Sequence, residues 1–164
     1  MNLATFLIEE LKIEGANTIK TLGRVDFSKA DWKPHDKSFG FKDLAVHIAD
    51  LLNWPARIVA NDTLDFATED LSRPEINTAE DLKAYAQKNI EKTITAFENW
   101  AEADYETVWT LKHGDFIIMQ MPKVMAIRYI CQNHIIHHRA QLSVYLRLLD
   151  IPVPALYGPS ADEK

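Results

Sequence analysis

The chain is poor in the residues that most often announce a chemistry. Its single cysteine, Cys131, can form no intrachain disulfide, and neither a Cys-x-x-Cys redox pair nor a cysteine zinc cage can be built from it. Five widely separated glycines exclude a glycine-rich phosphate loop. The patterns Gly-x-Ser-x-Gly, His-Glu-x-x-His and Glu-x-x-His are all missing. Their absence removes a serine-hydrolase elbow, a zincin-type protease and a di-iron carboxylate bundle. Positive charge is also short. The 18 Lys and Arg are scattered among 24 Asp and Glu, for a net charge of −6. With no basic stripe, the chain is not expected to grip nucleic acid. No apolar run approaches the 18 residues or so of a membrane span. The N-terminal "MNLATFLIEELK" places Glu9 and Glu10 where a signal peptide needs its apolar core. A soluble cytoplasmic protein with no membrane partner is the expectation.

What is present is a globular composition, 47% hydrophobic and 26% charged, over 164 residues. That length fits one domain, 1–164, with a core of its own. Helical spacing dominates. A first helix is expected from about Asn2 to Leu22, with Leu3, Leu7 and Leu11 on one face and Gly23 as its stop. A second begins near Gly40, carries Leu44, His47, Ile48, Leu51 and Ile58 inward, and is kinked by Pro55. A third follows "NTAEDL", where Asn77 and Glu80 have capping-box spacing, and buries Leu82, Tyr85, Ala86, Ile90, Phe97 and Trp100. Between Glu106 and Gln120 the period changes, and a small hairpin turning at His113-Gly114 is expected. The last helix runs from Pro122 to about Leu149. The tail, "IPVPALYGPSADEK", is too proline-rich for a helix and is expected to drape over the bundle. The fold class is therefore all-α, a four-helix bundle with a small β-hairpin before the last helix.

Half of the six histidines fall in "NHIIHHRAQL", residues 133 to 142. On the last helix, Ile127, Ile130, Cys131, His134, His138, Gln141, Leu142 and Tyr145 share the core-facing stripe. His134 and His138, at i and i+4, can converge on one metal ion, whereas His137 lies about 100° further round. His47 brings a third imidazole from the apolar face of the second helix. A lone inward histidine is more often a hydrogen-bonded core residue, and His47 by itself reads that way. Two buried imidazoles one turn apart cost several kcal/mol unless they share a purpose, which puts ligation on an equal footing with core packing. Cys131, one turn before His134, is a conceivable fourth ligand but reads better as a packed thiol. His35 and His113 read as solvated. Trp32, Trp54, Trp100 and Trp109 read as packing rather than as a cofactor box. Asp43, Asp50, Arg139 and Gln141 are candidates for orienting the ligands, and no residue stands out as a general base.

Two stretches resemble the DinB (YfiT-like) family of metal-dependent proteins. "DWKPHDKSFGFKDLAVHIADLLNW" is similar to the family's approach to its first ligand histidine. "NHIIHHRAQLSVYLRLLDIPVPALYGPSADE" resembles its signature Asn-His-x-x-His-His-Arg-Gly-Gln and the tail of one branch. Carried over, the family's ligands fall on His47, His134 and His138. Ala140 departs from the usual glycine, so a close backbone or dimer contact there would be wider. The resemblance implies an up-down-down-up bundle, a homodimer, and a divalent zinc, nickel or iron ion. It also implies, for some relatives, transferase chemistry with small thiols. Two functions follow as expectations. One is a metal-dependent enzyme, hydrolase-like or thiol-dependent, on an unidentified small molecule. The other is a stress-linked binding protein whose metal is structural or vestigial. An open coordination position beside a pocket favours the first, and a closed shell the second.

Overall fold

The structure, a computed structural model, describes residues 2–164. Helix α1 (Leu3–Leu22) starts at Asn2, whose side chain caps the Thr5 amide, and stops at Gly23. Gly23 closes the helix in an ordinary right-handed conformation (φ −64°) and not through a left-handed turn. The expected second helix is two helices. Helix α2 (Phe41–Leu51) ends ahead of Asn53, and α3 (Trp54–Ala60) restarts with Pro55 in its first turn. A kink at Pro55 was the expectation; a break is the outcome. Proline offers no amide to the carbonyl four residues earlier, and its fixed φ suits a first turn. The carbonyls orphaned at the end of α2 are recovered from the next long helix: Asn89 Nδ2 donates to the Ala49 carbonyl at 2.9 Å and Thr93 Oγ1 to that of Leu52 at 2.6 Å.

That next helix, α4 (Ala79–Glu98), is capped one residue later than expected, by Thr78 and Asp81 in place of Asn77 and Glu80. Thr78 accepts from the Asp81 amide at 3.0 Å, and Asp81 accepts in return from the Thr78 amide at 3.1 Å. Leu82, Ala86, Ile90 and Phe97 face the core, while Trp100 is buried beyond the helix end.

The hairpin is part of a larger element, and the fold is not purely α. Strand β1 (Thr63–Asp65) pairs in parallel with β2 (Val108–His113), which pairs antiparallel with β3 (Phe116–Pro122). The result is a three-stranded mixed sheet. Parallel neighbours need a long crossover, and α4 supplies it. Gly114 makes the β2–β3 turn at φ +58°, and its amide donates to Asp65 Oδ1 at 2.9 Å.

The final helix is also interrupted. A short α5 (Lys123–Ala126) runs into a π-helical segment, Ile127–Gln132, before α6 (Asn133–Leu148). Buried Lys123 staples its start, reaching Asp62 Oδ1 at 2.8 Å and the Val59 carbonyl at 3.0 Å. Four long helical arms surround the core, with α1 and α2 each packed against both α4 and α6. The tail is fastened across the bundle: Asp162 pairs with Arg147 at 2.6 Å, Glu163 with Lys20 at 2.8 Å, and Tyr157 donates to Glu14 at 2.8 Å. Among the described residues no helix is long and apolar enough to cross a membrane.

Candidate metal centre

Helices α2 and α6 pack together, and their facing sides carry the three histidines. His47 lies in the middle of α2, on the turn between buried Leu44 and buried Ile48. His134 and His138 lie one turn apart on α6, where His138 is 8% exposed and His134 half-buried. One nitrogen from each of the three rings falls within 4.8 Å of the others. The ring centroids are 4.5 Å apart for His134 and His138, 4.9 Å for His47 and His138, and 5.3 Å for His47 and His134. Phe39, on the loop ahead of α2, closes one side, stacked on His47 at 5.6 Å and edge-on to His138 at 6.0 Å.

The hydrogen bonds decide where the lone pairs point. His134 Nδ1 lies 3.1 Å from the Ile130 carbonyl. A carbonyl only accepts, so Nδ1 carries the proton and Nε2 the lone pair. Ile130 belongs to the π-helical segment, where carbonyls bond five residues ahead, a local widening that often accompanies functional sites. His138 Nδ1 lies 2.7 Å from Gln141 Oε1, again an acceptor. Both Nε2 atoms are then lone-pair donors, yet they stand 2.7 Å apart. With the Gln141 oxygen toward the ring neither nitrogen donates to the other, and either an ion held by both or a turned-over Gln141 amide relieves the contact. The donor set therefore fits a divalent ion: three imidazoles, two held in the ligating tautomer by a partner on the opposite nitrogen.

The local electrostatics agree. Burial, then the neighbouring His138 and His134, pushes the His47 imidazole down to about 4. Burial likewise lowers His134 and His138, opposed by the Ile130 bond in one and the Gln141 bond in the other. All three are neutral at neutral pH, the form that ligates. Cys131 is fully buried, its thiol is pushed up by burial, and it does not join the cluster.

The orienting candidates separate clearly. Gln141 acts on His138 even though its own side chain is largely exposed. Asp50, one turn after His47, is buried and accepts from Tyr85 Oη at 2.8 Å and Trp54 Nε1 at 3.3 Å. Asp43 is exposed and bonds none of the histidines. Arg139 points the other way, into α1, pairing with Glu14 at 2.5 Å and donating to Thr18 at 3.1 Å. His137 is exposed. His35 and His113 are exposed too, as expected.

The structure also shows a feature the sequence reading missed. A cavity of about 750 Å³ opens beside the cluster, lined by His47, His134 and His137 together with Trp54, Phe66 and Tyr129. Trp54 is thus both packing and cavity wall. Phe66 follows directly on β1, and Tyr129 stands 59% exposed on the π-helical segment.

The fold is a helical bundle whose three-histidine cluster could hold a metal ion and lies beside a cavity. The DinB family model matches residues 10–164, and the chain belongs to the DinB family. A DinB-like protein from Bacillus cereus ATCC 10987 superposes with a TM-score of 0.69 at 21% identity, over 91% of this chain and 94% of that one. A second, YjoA from Bacillus subtilis, gives 0.68 at 18% identity, over 91% and 95%. At such identities the likeness speaks for the fold. The uncharacterized protein YrdA of Bacillus subtilis (strain 168) is 39% identical over 62 residues, a match spanning 35% of this chain and 36% of YrdA.

Proposed function

We propose that His47, His134 and His138 hold one divalent ion and that the protein is a metal-dependent enzyme acting on a small molecule in the adjoining cavity. The observation that carries this reading is the convergence of one nitrogen from each of three imidazoles within 4.8 Å of one another, at the wall of a cavity. When bound, a divalent ion held by three neutral ligands keeps its full charge and supplies Lewis acidity, enough to bring a water or thiol toward ionisation near neutral pH. The chain's own residues do the rest. Ile130 and Gln141 fix two imidazoles in orientation, and Phe39 covers one flank. On the other side the cavity leaves room for a reactant. That room favours an enzyme over a binding protein with a closed, structural or vestigial site. Cys131 is sealed in the core, so a thiol nucleophile must come from outside. Both a thiol-dependent transfer and a hydrolase-like reaction are compatible with this layout, and zinc, nickel and iron all suit its ligand chemistry.

The test is metal content. Purified protein should carry about one divalent ion per chain, lost in His138→Ala and largely kept in His137→Ala. Equal loss in both variants sinks the assignment. In a cobalt-substituted sample, small thiols should perturb the visible spectrum. A response to simple anions but to no thiol favours the hydrolase-like reaction, and no response at all favours a closed binding site.

A further inference from the structure

The cavity beside the histidines is oily on nearly every side. Leu51, Trp54, Phe66, Leu71, Leu111 and Met119 all contribute to its wall. A pocket of this size and lining takes its ligand by burying hydrocarbon. Beside His47, His134, His137 and Asn133, the wall carries one arginine: Arg73, from the loop between β1 and α4.

Arg73 is unlike the other arginines of the chain. Arg57 holds Glu69 at 2.6 Å, Arg147 holds Asp162 at 2.6 Å, and Arg139 holds Glu14 at 2.5 Å. Arg24 and Arg128 form close pairs with Glu163 and Glu10. Among the described residues, Arg73 makes a single bond, to Asp50 Oδ2 at 3.4 Å, the long end of the range. Asp50 does not depend on it, being already bonded by Tyr85 and Trp54. Most of the five N–H donors on the Arg73 guanidinium therefore have no protein partner, and the side chain, 39% exposed, lines the cavity. Asp50 tethers it to α2, the helix that also presents His47 to the same cavity.

We propose that Arg73 anchors the carboxylate of the ligand, so that the cavity takes a carboxylic acid with an apolar or aryl body, its head at Arg73 and its hydrocarbon against Trp54 and Phe66. A planar guanidinium matches a carboxylate with two parallel hydrogen bonds. No other arginine or lysine lines the cavity, which suits a single negative charge better than a phosphate dianion. The proposal deepens the enzyme reading by naming its substrate class. Binding of the acid, however, can be measured separately from metal content.

The experiment is calorimetric titration of the protein as purified and after zinc loading. The probes are 4-phenylbutyrate and its uncharged counterpart 4-phenylbutan-1-ol, and metal content is measured on the same samples. The acid should bind about tenfold tighter than the alcohol or better, because a charge-assisted pair is added to the same apolar burial. Arg73→Gln should erase that preference while leaving alcohol affinity unchanged, and Arg73→Lys should restore part of it. A preference that survives in Arg73→Gln places the carboxylate elsewhere, on the metal if it appears only after zinc loading, and overturns the proposal. Equal loss of both probes in Arg73→Gln makes Arg73 a prop for its loop and overturns it too, as does failure of both probes to bind wild type. Zinc stoichiometry reports on the histidine site independently of all these outcomes.

Discussion

Gln141 offers the sharpest way to test the site without touching a ligand. Its Oε1 lies 2.7 Å from His138 Nδ1, and the rest of the residue is exposed, so replacing it changes one hydrogen bond and little packing. That bond chooses the tautomer. With the amide oxygen toward the ring, Nδ1 keeps the proton and Nε2 is free to ligate. With the amide turned over, its NH₂ would donate to Nδ1, the proton would sit on Nε2, and His138 could donate across the 2.7 Å gap to His134. The second arrangement satisfies the metal-free cluster and competes with the ion. Gln141→Leu removes the orienting partner and should weaken zinc binding by about 10–100-fold, or about 1.4–2.8 kcal/mol. Gln141→Glu can only accept at Nδ1, so it enforces the ligating tautomer and should bind zinc more tightly than wild type. Stability of the metal-free protein should move by less than about 0.5 kcal/mol in the leucine variant, since the site is on the surface. Competition against a fluorescent zinc chelator measures the affinities, and urea unfolding checks the fold. Glutamate binding more weakly than glutamine, or leucine matching wild type within twofold, would refute the tautomer argument.

Acid should destabilise the metal-free protein through the histidines. His47 titrates near 6.5 when unfolded and at about 4 when folded, so between those values the unfolded chain binds the extra proton. Stability should be full above about pH 6.5 and fall as the pH drops toward 4; a thermal-melt series should show this slope reduced in His47→Gln. Arg139→Ala should leave zinc affinity alone, because Arg139 faces α1, but should cost about 3–5 kcal/mol of stability by leaving the Glu14 carboxylate only its Tyr157 bond. The figure should sit toward the low end because Glu14 keeps 19% of its exposure; zinc loss without a stability change would reverse the assignment. We also propose a homodimer through the outer face of α6, where Ile136, Ala140, Val144 and Leu148 are exposed on successive turns. Light scattering should give twice the chain mass and Val144→Glu the single mass; a wild-type monomer at high micromolar concentration excludes it.

How much of this could be read from the residues depends on how local each feature is. The pairing of His134 with His138 is local: two positions four apart on a helix share a face whatever surrounds them, and the apolar stripe around them set which face was inward. His47 was legible for the same reason, as the polar member of another stripe. Helix ends were legible to within a residue or two. The capping box shifted by one position because Asn77 and Thr78 are both good caps, and only packing picks the second. Pro55 announced a disturbance in the helix. Whether it kinked or broke the helix depended on Asn89 and Thr93, some forty residues away, being present to take the orphaned carbonyls.

The features that sequence hid are those assembled from distant pieces. Strand β1 is three residues long, too short to show a period, and exists because α4 brings Val108–His113 back alongside it. The π-helical segment carries no proline or glycine to mark it, yet it places the Ile130 carbonyl behind His134. Arg73 is the extreme case. In sequence it is a basic residue before a proline in a polar loop, the commonest kind of solvated arginine. Its distinction lies in its place: every other arginine finds a carboxylate close at hand, while this one, still 39% exposed, lines the cavity and is bonded only at 3.4 Å. A pair of converging histidines can be written into one helix, because its members need only share a face. A substrate site needs a cavity, and a cavity is defined by what does not fill it, which no single segment of chain records.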